Sequence, residues 1–382
     1  MYIDRLINEE LFQSPKSILL VGPRQTGKST LIQSLKPDLQ INLASESEFL
    51  AFASNPEELV QRLAPSKIKT ILIDEVQRLP TLLNTVQSIL DNQPKRFKFY
   101  LTGSSARKLK RGKANLLPGR IFTYRLGTIC SVELNYQIDT TKALETGMLP
   151  GIYTEPSEKF RQKTLRSYAS TYLKEEIQAE ALTRNLEGFS RFIYVAAAQS
   201  GQFLDMTKLA SQAQINRQAA VRYFEILEDT LIVNRCPSFS KKINKRLVSH
   251  PKYYLFDTGV LNSLLGSFQM SPDRVGPIFE TLVFNQILSS AYARDLDIQI
   301  STYRTTHGAE VDFIVELNNQ TYAIEVKHTK NIGRSDINGL KNFKKTCQSA
   351  HIPMIFYIGD EIKQIEDTMI YPWQTGLKEL GL

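Results

Sequence analysis

Two stretches of this 382-residue chain carry residue types at spacings that could do chemistry. The first is Gly22-Pro23-Arg24-Gln25-Thr26-Gly27-Lys28-Ser29-Thr30. It fits G-x-x-x-x-G-K-[ST], the pattern of a loop that wraps a triphosphate. The glycines let backbone N–H groups turn inward. Lys28 would reach the β- and γ-phosphates as a point charge, and the Ser29 hydroxyl would ligate Mg2+. Downstream, Thr70-Ile71-Leu72-Ile73-Asp74-Glu75 is an apolar, β-branched run ending in two carboxylates. At the C-terminal end of a parallel strand, Asp74 would hold the Mg2+ shell and Glu75 would polarise the attacking water. The cofactors implied are ATP and Mg2+.

The second stretch runs from Glu310 to Lys327: Glu310-Val311-Asp312-Phe313-Ile314-Val315-Glu316-Leu317, then Asn318-Asn319, then Gln320-Thr321-Tyr322-Ala323-Ile324-Glu325-Val326-Lys327. With Asn318-Asn319 as a two-residue turn suited to positive φ, the register follows. Val311 faces Val326, Phe313 faces Ile324 and Val315 faces Tyr322, all on one face. Asp312 then lies across from Glu325 on the other face, with Lys327 beside them; a slip of one residue would separate the carboxylates. Two carboxylates that close repel unless they are protonated or share a cation. Mg2+ or Mn2+ would suit them, and Lys327 would stabilise developing phosphorane charge or assist the water. The rival is an exposed hairpin face carrying an ordinary salt-bridge cluster.

The elements that must position these residues are legible in outline. Ile18-Leu19-Leu20-Val21 is a strand that enters the first loop, and Leu31, Ile32 and Leu35 give helical spacing beyond it. Strands over residues 39–43, 68–73 and 97–105 alternate with helices over 46–62 and 79–92, which argues for a parallel α/β sheet. Residues 126–155 read as a transition. Helices are expected over 161–180 and 189–198. Residues 206–213 and 217–230 read as a helix-turn-helix with a wing beginning at 231–236, so that Arg217, Gln218 and Arg222 lie on the presumed recognition helix. A helix over 276–290 carries Glu280. A helix over 335–347, a strand over 352–358 and an irregular tail with Trp373 close the chain. The expected domains are residues 1–145, 146–250 and 251–382.

The net charge is +8. Residues 101–125 hold seven Lys or Arg and no acid, namely Arg107, Lys108, Lys110, Arg111, Lys113, Arg120 and Arg125. Residues 235–252 hold six, including Lys241, Lys242, Lys245 and Arg246. Segments 106–125 and 235–252 are candidate nucleic-acid contacts, with a solvated face as the alternative. Beside a triphosphate, Arg120 is the candidate arginine finger; whether it acts in cis or on a neighbouring subunit of a homo-oligomer is open at this stage. Three scattered cysteines give neither a disulfide framework nor a zinc pattern and fit a reducing, cytoplasmic setting. The first fifteen residues lack a signal-peptide core, and no apolar run approaches a membrane span.

Gly22-Pro23-Arg24-Gln25-Thr26-Gly27-Lys28, Ile73-Asp74-Glu75, Leu101-Thr102-Gly103-Ser104-Ser105 and Gly119-Arg120 together resemble a prokaryotic family of AAA-superfamily ATPases, in which the ATPase precedes a C-terminal domain of uncharacterised function. The resemblance implies that a polar residue at the end of the third strand senses the γ-phosphate. Ser104 is the candidate and Thr102 the alternative, with a Ser-rich helix cap as the structural rival. Glu280, Asp312 and Glu325-Val326-Lys327 resemble the PD-(D/E)xK nuclease-like fold, where a helix Glu, a strand Asp and an E-x-K form a metal site. Val311 stands where that pattern has Pro. The expected architecture is therefore multidomain α/β: an AAA-type P-loop ATPase with a parallel sheet and flanking helices, a helical and winged-helix middle segment, and an α/β nuclease-like C-terminal domain. Two functions follow. In one, the ATPase state controls a nuclease-like domain acting on nucleic acid. In the other, ATP gates a conformational switch that recruits a protein partner, and the nuclease-like domain is inactive.

Overall fold

A computed structural model describes residues 3–64, 67–104, 117–172, 185–239, 250–347 and 350–382. The chain divides into two compact units, one formed by residues 3–127 with 229–231, the other by 128–228 with 232–382. The expected boundaries at 145/146 and 250/251 both fall inside the larger unit. The second of them lies between the two strands of an antiparallel pairing.

In the smaller unit, β1 (Ser17–Val21), β2 (Leu39–Asn42), β3 (Thr70–Asp74), β4 (Lys98–Gly103) and β5 (Ile121–Arg125) form one sheet in the order β2-β3-β4-β1-β5. Every pairing is parallel. Successive side chains leave opposite faces of a strand, and this sheet buries both. Leu19, Val21, Ile71, Ile73, Phe99 and Leu101 enter one core with Val86 and Leu83. Ile18, Leu20, Leu72, Tyr100 and Tyr124 enter the other with Leu31 and Ile32. Burial on both faces explains why these strands read as continuous apolar runs. The helix expected over 46–62 is two, Glu46–Ser54 and Glu58–Arg62. β5 was not expected from the sequence; it closes the basic run 101–125, and three of its five residues are exposed.

The larger unit begins with short helices, Thr140–Thr146 and Pro150–Tyr153, where a plain transition was expected, followed by Glu158–Ser167. Helices Leu186–Ala198, Met206–Gln212 and Arg217–Asp229 precede the pair β6 (Val233–Cys236) and β7 (Lys252–Leu255). Asp205 accepts from the N–H groups of Thr207 and Lys208 and so caps the second of these helices. Arg217, Gln218 and Arg222 are exposed on the third.

A six-stranded sheet follows, ordered β12-β13-β11-β10-β9-β8. Its members are β8 (Ile298–Arg304), β9 (Glu310–Leu317), β10 (Gln320–Lys327), β11 (Ile352–Tyr357), β12 (Lys363–Ile365) and β13 (Thr368–Pro372). β10 and β9 pair antiparallel, with Tyr322 opposite Val315 and Ile324 opposite Phe313, and Asn318 and Asn319 both have positive φ. Ile314, Ala323 and Ile355 join Leu340 and Phe343 of the helix Asn338–Thr346 in one core. Phe313 packs on Phe284 of the helix Pro272–Ala293, with ring centroids 5.7 Å apart. The tail is not irregular. β13 adds in parallel to β11, and the helix Trp373–Glu379 follows it, with Trp373 buried. Among the described residues, no helix is long and apolar enough to cross a membrane.

Candidate functional site

β1 lies between β4 and β5, and β4 separates it from β3. The loop leaving β1 and the carboxylates leaving β3 therefore meet over the C-terminal end of β4, the edge at which open parallel sheets bind ligands. Gly22 is needed for its small size. Its N–H donates to the Gly103 carbonyl at 3.3 Å, and a Cβ on it would stand 2.2 Å from the Leu126 carbonyl oxygen. Gly27 has φ of 92° and Gln25 of 62°, which folds the loop back on itself before the helix Lys28–Ser34. Thr26 Oγ1 donates to the Pro23 carbonyl at 2.9 Å. Arg5, buried, donates to the carbonyls of Thr26 at 2.7 Å and Gly127 at 3.0 Å. This brace was not anticipated, because Arg5 lies well upstream of any motif.

Lys28 is buried and its Nζ donates to the carbonyls of Gly22 (2.9 Å) and Pro23 (2.8 Å). Ser29 Oγ donates to Asp74 Oδ1 at 2.9 Å. Thr102 Oγ1 bonds the same carboxylate oxygen, and the Glu75 N–H donates to Thr102 Oγ1 at 3.3 Å. Glu75 has φ of 58°, so the chain turns sharply right after Asp74. Gln77 Nε2 donates to Glu75 Oε2 and, at 3.0 Å, to Ser104 Oγ. Gln77 is therefore a site residue that the sequence reading missed; its only signal was its position two residues beyond Glu75. Ser29, Asp74, Thr102, Glu75 and Ser104 are brought together. Their hard oxygen donors suit Mg2+ beside a nucleotide. Arg120 is tied to Asp91 of the helix Leu82–Asn92 and donates to the Pro118 carbonyl at 3.1 Å. Ser105 and Arg107 to Lys113 lie outside the described residues.

In the larger unit, the hairpin brings Asp312 and Glu325 to one cluster with Glu280 and Lys327. Asp312 Oδ2 accepts from the Val326 N–H at 2.9 Å, and Lys327 Nζ lies 3.1 Å from Glu325 Oε2. The face is not an exposed one, since Glu325 is only 6% exposed. Gly339 allows this; a Cβ there would sit 2.6 Å from Glu325 Oε1 and 2.0 Å from the Glu310 carbonyl. Lys252, at the start of β7, reads in the sequence only as part of a basic segment. Its Nζ stands 2.9 Å from Glu280 Oε1, 2.7 Å from Glu310 Oε1 and 3.8 Å from Asp312 Oδ1, with the side chain 4% exposed. The Tyr254 hydroxyl donates to Glu280 Oε1 at 2.6 Å.

Burial, with Asp312 adding to it, pushes the Glu280 carboxyl up to about 6 against the pull of Lys252. Burial and then Asp312 push Glu325 well above the carboxylate range. Burial would lower Lys252, but Glu280, Asp312 and Glu310 outweigh it and hold the ammonium charged. Among the described residues, no group of three His, Cys, Asp or Glu is arranged to hold a metal ion. The oxygens expected to ligate Mg2+ or Mn2+ here face an ammonium, so the set does not fit a divalent ion. Within the described part of segment 235–252, Lys252 is buried while Arg235 stays on the surface. Arg235 grips Glu228 through two bonds of 2.7 and 2.8 Å, while Lys241, Lys242, Lys245 and Arg246 lie outside the described residues.

Comparison with known proteins divides the chain in three. Residues 14–135 match the family model of an AAA domain. Residues 138–271 match a domain of unknown function (DUF8612), and residues 275–375 a domain of unknown function (DUF4143). The uncharacterized proteins Rv2008c of Mycobacterium tuberculosis and Mb2031c of Mycobacterium bovis are each 26% identical over 365 residues, covering 92% of this chain and 79% of theirs. Among solved structures, the replication initiator DnaA bound to AMPPCP and single-stranded DNA aligns with a TM-score of 0.26 and 12% identity, over 58% of this chain and 85% of that one. Can2 from Sulfobacillus thermosulfidooxidans in complex with cyclic tetra-adenylate gives 0.22 and 10%, over 95% and 98%. Scores this low carry no structural argument. The AAA match is enough to make the N-terminal unit an AAA-type P-loop domain, a class whose ligands are a nucleotide and usually Mg2+.

Proposed function

We propose that the N-terminal unit binds ATP with Mg2+ and hydrolyses it, and that the remainder of the chain responds to the nucleotide state. The observation that carries this is the 2.9 Å bond from Ser29 to Asp74, which joins the phosphate loop to the carboxylate pair. The loop N–H groups from Gly22 to Thr30, with Pro23, Arg24, Gln25, Thr26 and Gly27 shaping the turn, cradle the phosphates. Lys28 exchanges its two carbonyl partners for phosphate oxygens, which accept charge-assisted bonds more strongly. Ser29 and Asp74 hold Mg2+, which neutralises phosphate charge when bound. Glu75 orients the attacking water and takes its proton. Gln77 fixes the Glu75 carboxylate, and Ser104, its other partner, reports the γ-phosphate through the same amide. ATP turnover by the full-length chain tests this reading, with Lys28→Ala as the negative arm.

Of the two outputs considered, the ATP-gated switch that acts through a protein partner is favoured over cleavage of nucleic acid, because Lys252 stands among the carboxylates a nuclease would need for metal. Scoring strand cleavage in the turnover assay, with DNA and RNA present, separates the two. Cleavage lost in Asp312→Ala would restore the nuclease reading.

A further inference from the structure

The carboxylates Glu280, Glu310, Asp312 and Glu325 converge from the helix Pro272–Ala293 and the β9–β10 hairpin, all within residues 275–375. Lys252, which meets Glu280, Glu310 and Asp312, belongs to the preceding segment, residues 138–271. We propose that Lys252 takes the position of a divalent cation, so that the cluster is a metal-independent charge clasp joining these two segments. Its ammonium reaches Glu280 and Glu310 at 2.9 and 2.7 Å, distances of direct charge-assisted bonds. Glu280 is also bonded by Tyr254, and Asp312 by the Val326 N–H. The Glu280 oxygen that faces Lys252 is thus already shared between two donors.

The side chain is held in place from behind. Phe203 forms a backbone bridge with Lys252, and its ring lies 5.4 Å from Nζ and 4.7 Å from the Arg304 guanidinium. Arg304 Nε stands 3.9 Å from Glu310 Oε2. Two further cations border the carboxylates: Arg304 beside Glu310, and Lys327 at 3.1 Å from Glu325 Oε2. A divalent ion added to this set would face an ammonium within the same shell of oxygens. Burying such a network adds little stability, but it defines one arrangement of the strands and helix that supply it.

The inference deepens the reading of the C-terminal domain and is independent of the ATPase reading, since Mn2+ binding and ATP turnover are separate readouts. The test is titration of the nucleotide-free, full-length chain with Mn2+, following free Mn2+ by electron paramagnetic resonance. Wild type is expected to bind no Mn2+ that Asp312→Asn removes. Lys252→Met is expected to gain one Mn2+ site, lost again when Asp312→Asn is added. A wild-type site that disappears in Asp312→Asn would overturn the proposal, as would a folded Lys252→Met that gains none. If Lys252→Met does not fold, the comparison of wild type with Asp312→Asn decides the point alone.

Discussion

Gln77 Nε2 bonds both the Glu75 carboxylate and the Ser104 hydroxyl, while Gln77 Oε1 is buried with no hydrogen-bond partner. One amide therefore sets the distance between the residue that handles water and the residue at the end of β4. Gln77→Leu removes both bonds and an unsatisfied acceptor at once. It is expected to leave stability within about 1 kcal/mol. kcat for ATP should fall about 10- to 100-fold with KM nearly unchanged, as expected when a catalytic group loses its aim. Steady-state kinetics reads the split. A change in KM alone would assign Gln77 to binding instead.

Gly22 is demanded by space. Its missing Cβ would stand 2.2 Å from the Leu126 carbonyl oxygen, a backbone atom that cannot swing away. Gly22→Ala must push the loop and the segment after β5 apart. The expected cost is about 1–3 kcal/mol in urea unfolding, together with weaker nucleotide binding.

Asp257 gives the larger unit an acid-side gain in stability. Its carboxylate caps the helix Thr258–Leu264 through the Val260 N–H at 3.0 Å and accepts from the Met148 N–H at 2.7 Å. Burial outweighs these donors and raises the carboxyl from 3.8 to about 6. Between these values the folded chain holds a proton that the unfolded chain has released, so stability falls as pH rises through the window. A shift of about two units corresponds to about 3 kcal/mol. Glu280 adds in the same sense, its carboxyl being raised from 4.5 to about 6. Urea midpoints at a series of pH values should show the slope, and Asp257→Asn should flatten it.

Arg120 is engaged by Asp91 on the surface, with its side chain 34% exposed. Arg120→Ala is expected to cost less than about 1 kcal/mol, the usual worth of such a pair. ATP turnover should stay within about twofold, since an arginine that met transition-state charge would cost orders of magnitude more. A loss of that size would return the arginine-finger role to it.

What the sequence disclosed follows from range. The phosphate loop, β1 and β3 were legible because strand burial on two faces writes itself as an unbroken apolar run. The register of β9 and β10 was legible because alternation and a two-residue turn are local. β5 and β8 were not, since Ile121-Phe122-Thr123-Tyr124-Arg125 and Ile298-Gln299-Ile300-Ser301-Thr302-Tyr303-Arg304 interleave polar residues with apolar ones. β13 was missed because its place depends on β11. Lys252 could not be found as a site residue, because its partners Glu280 and Glu310 reach it only through tertiary packing. A lysine that opens a strand carries no local mark of such a role.

Asp74 and Ser29 are proposed to share a metal beside a bound triphosphate, and the most direct measurement is Mg2+-dependent ATP turnover by wild type and Asp74→Asn. The expected result is steady phosphate release by wild type with Mg2+, none with EDTA, and a rate at background for Asp74→Asn, which still folds. Turnover in Asp74→Asn equal to wild type, or a folded wild-type chain that neither binds nor hydrolyses ATP, would contradict it.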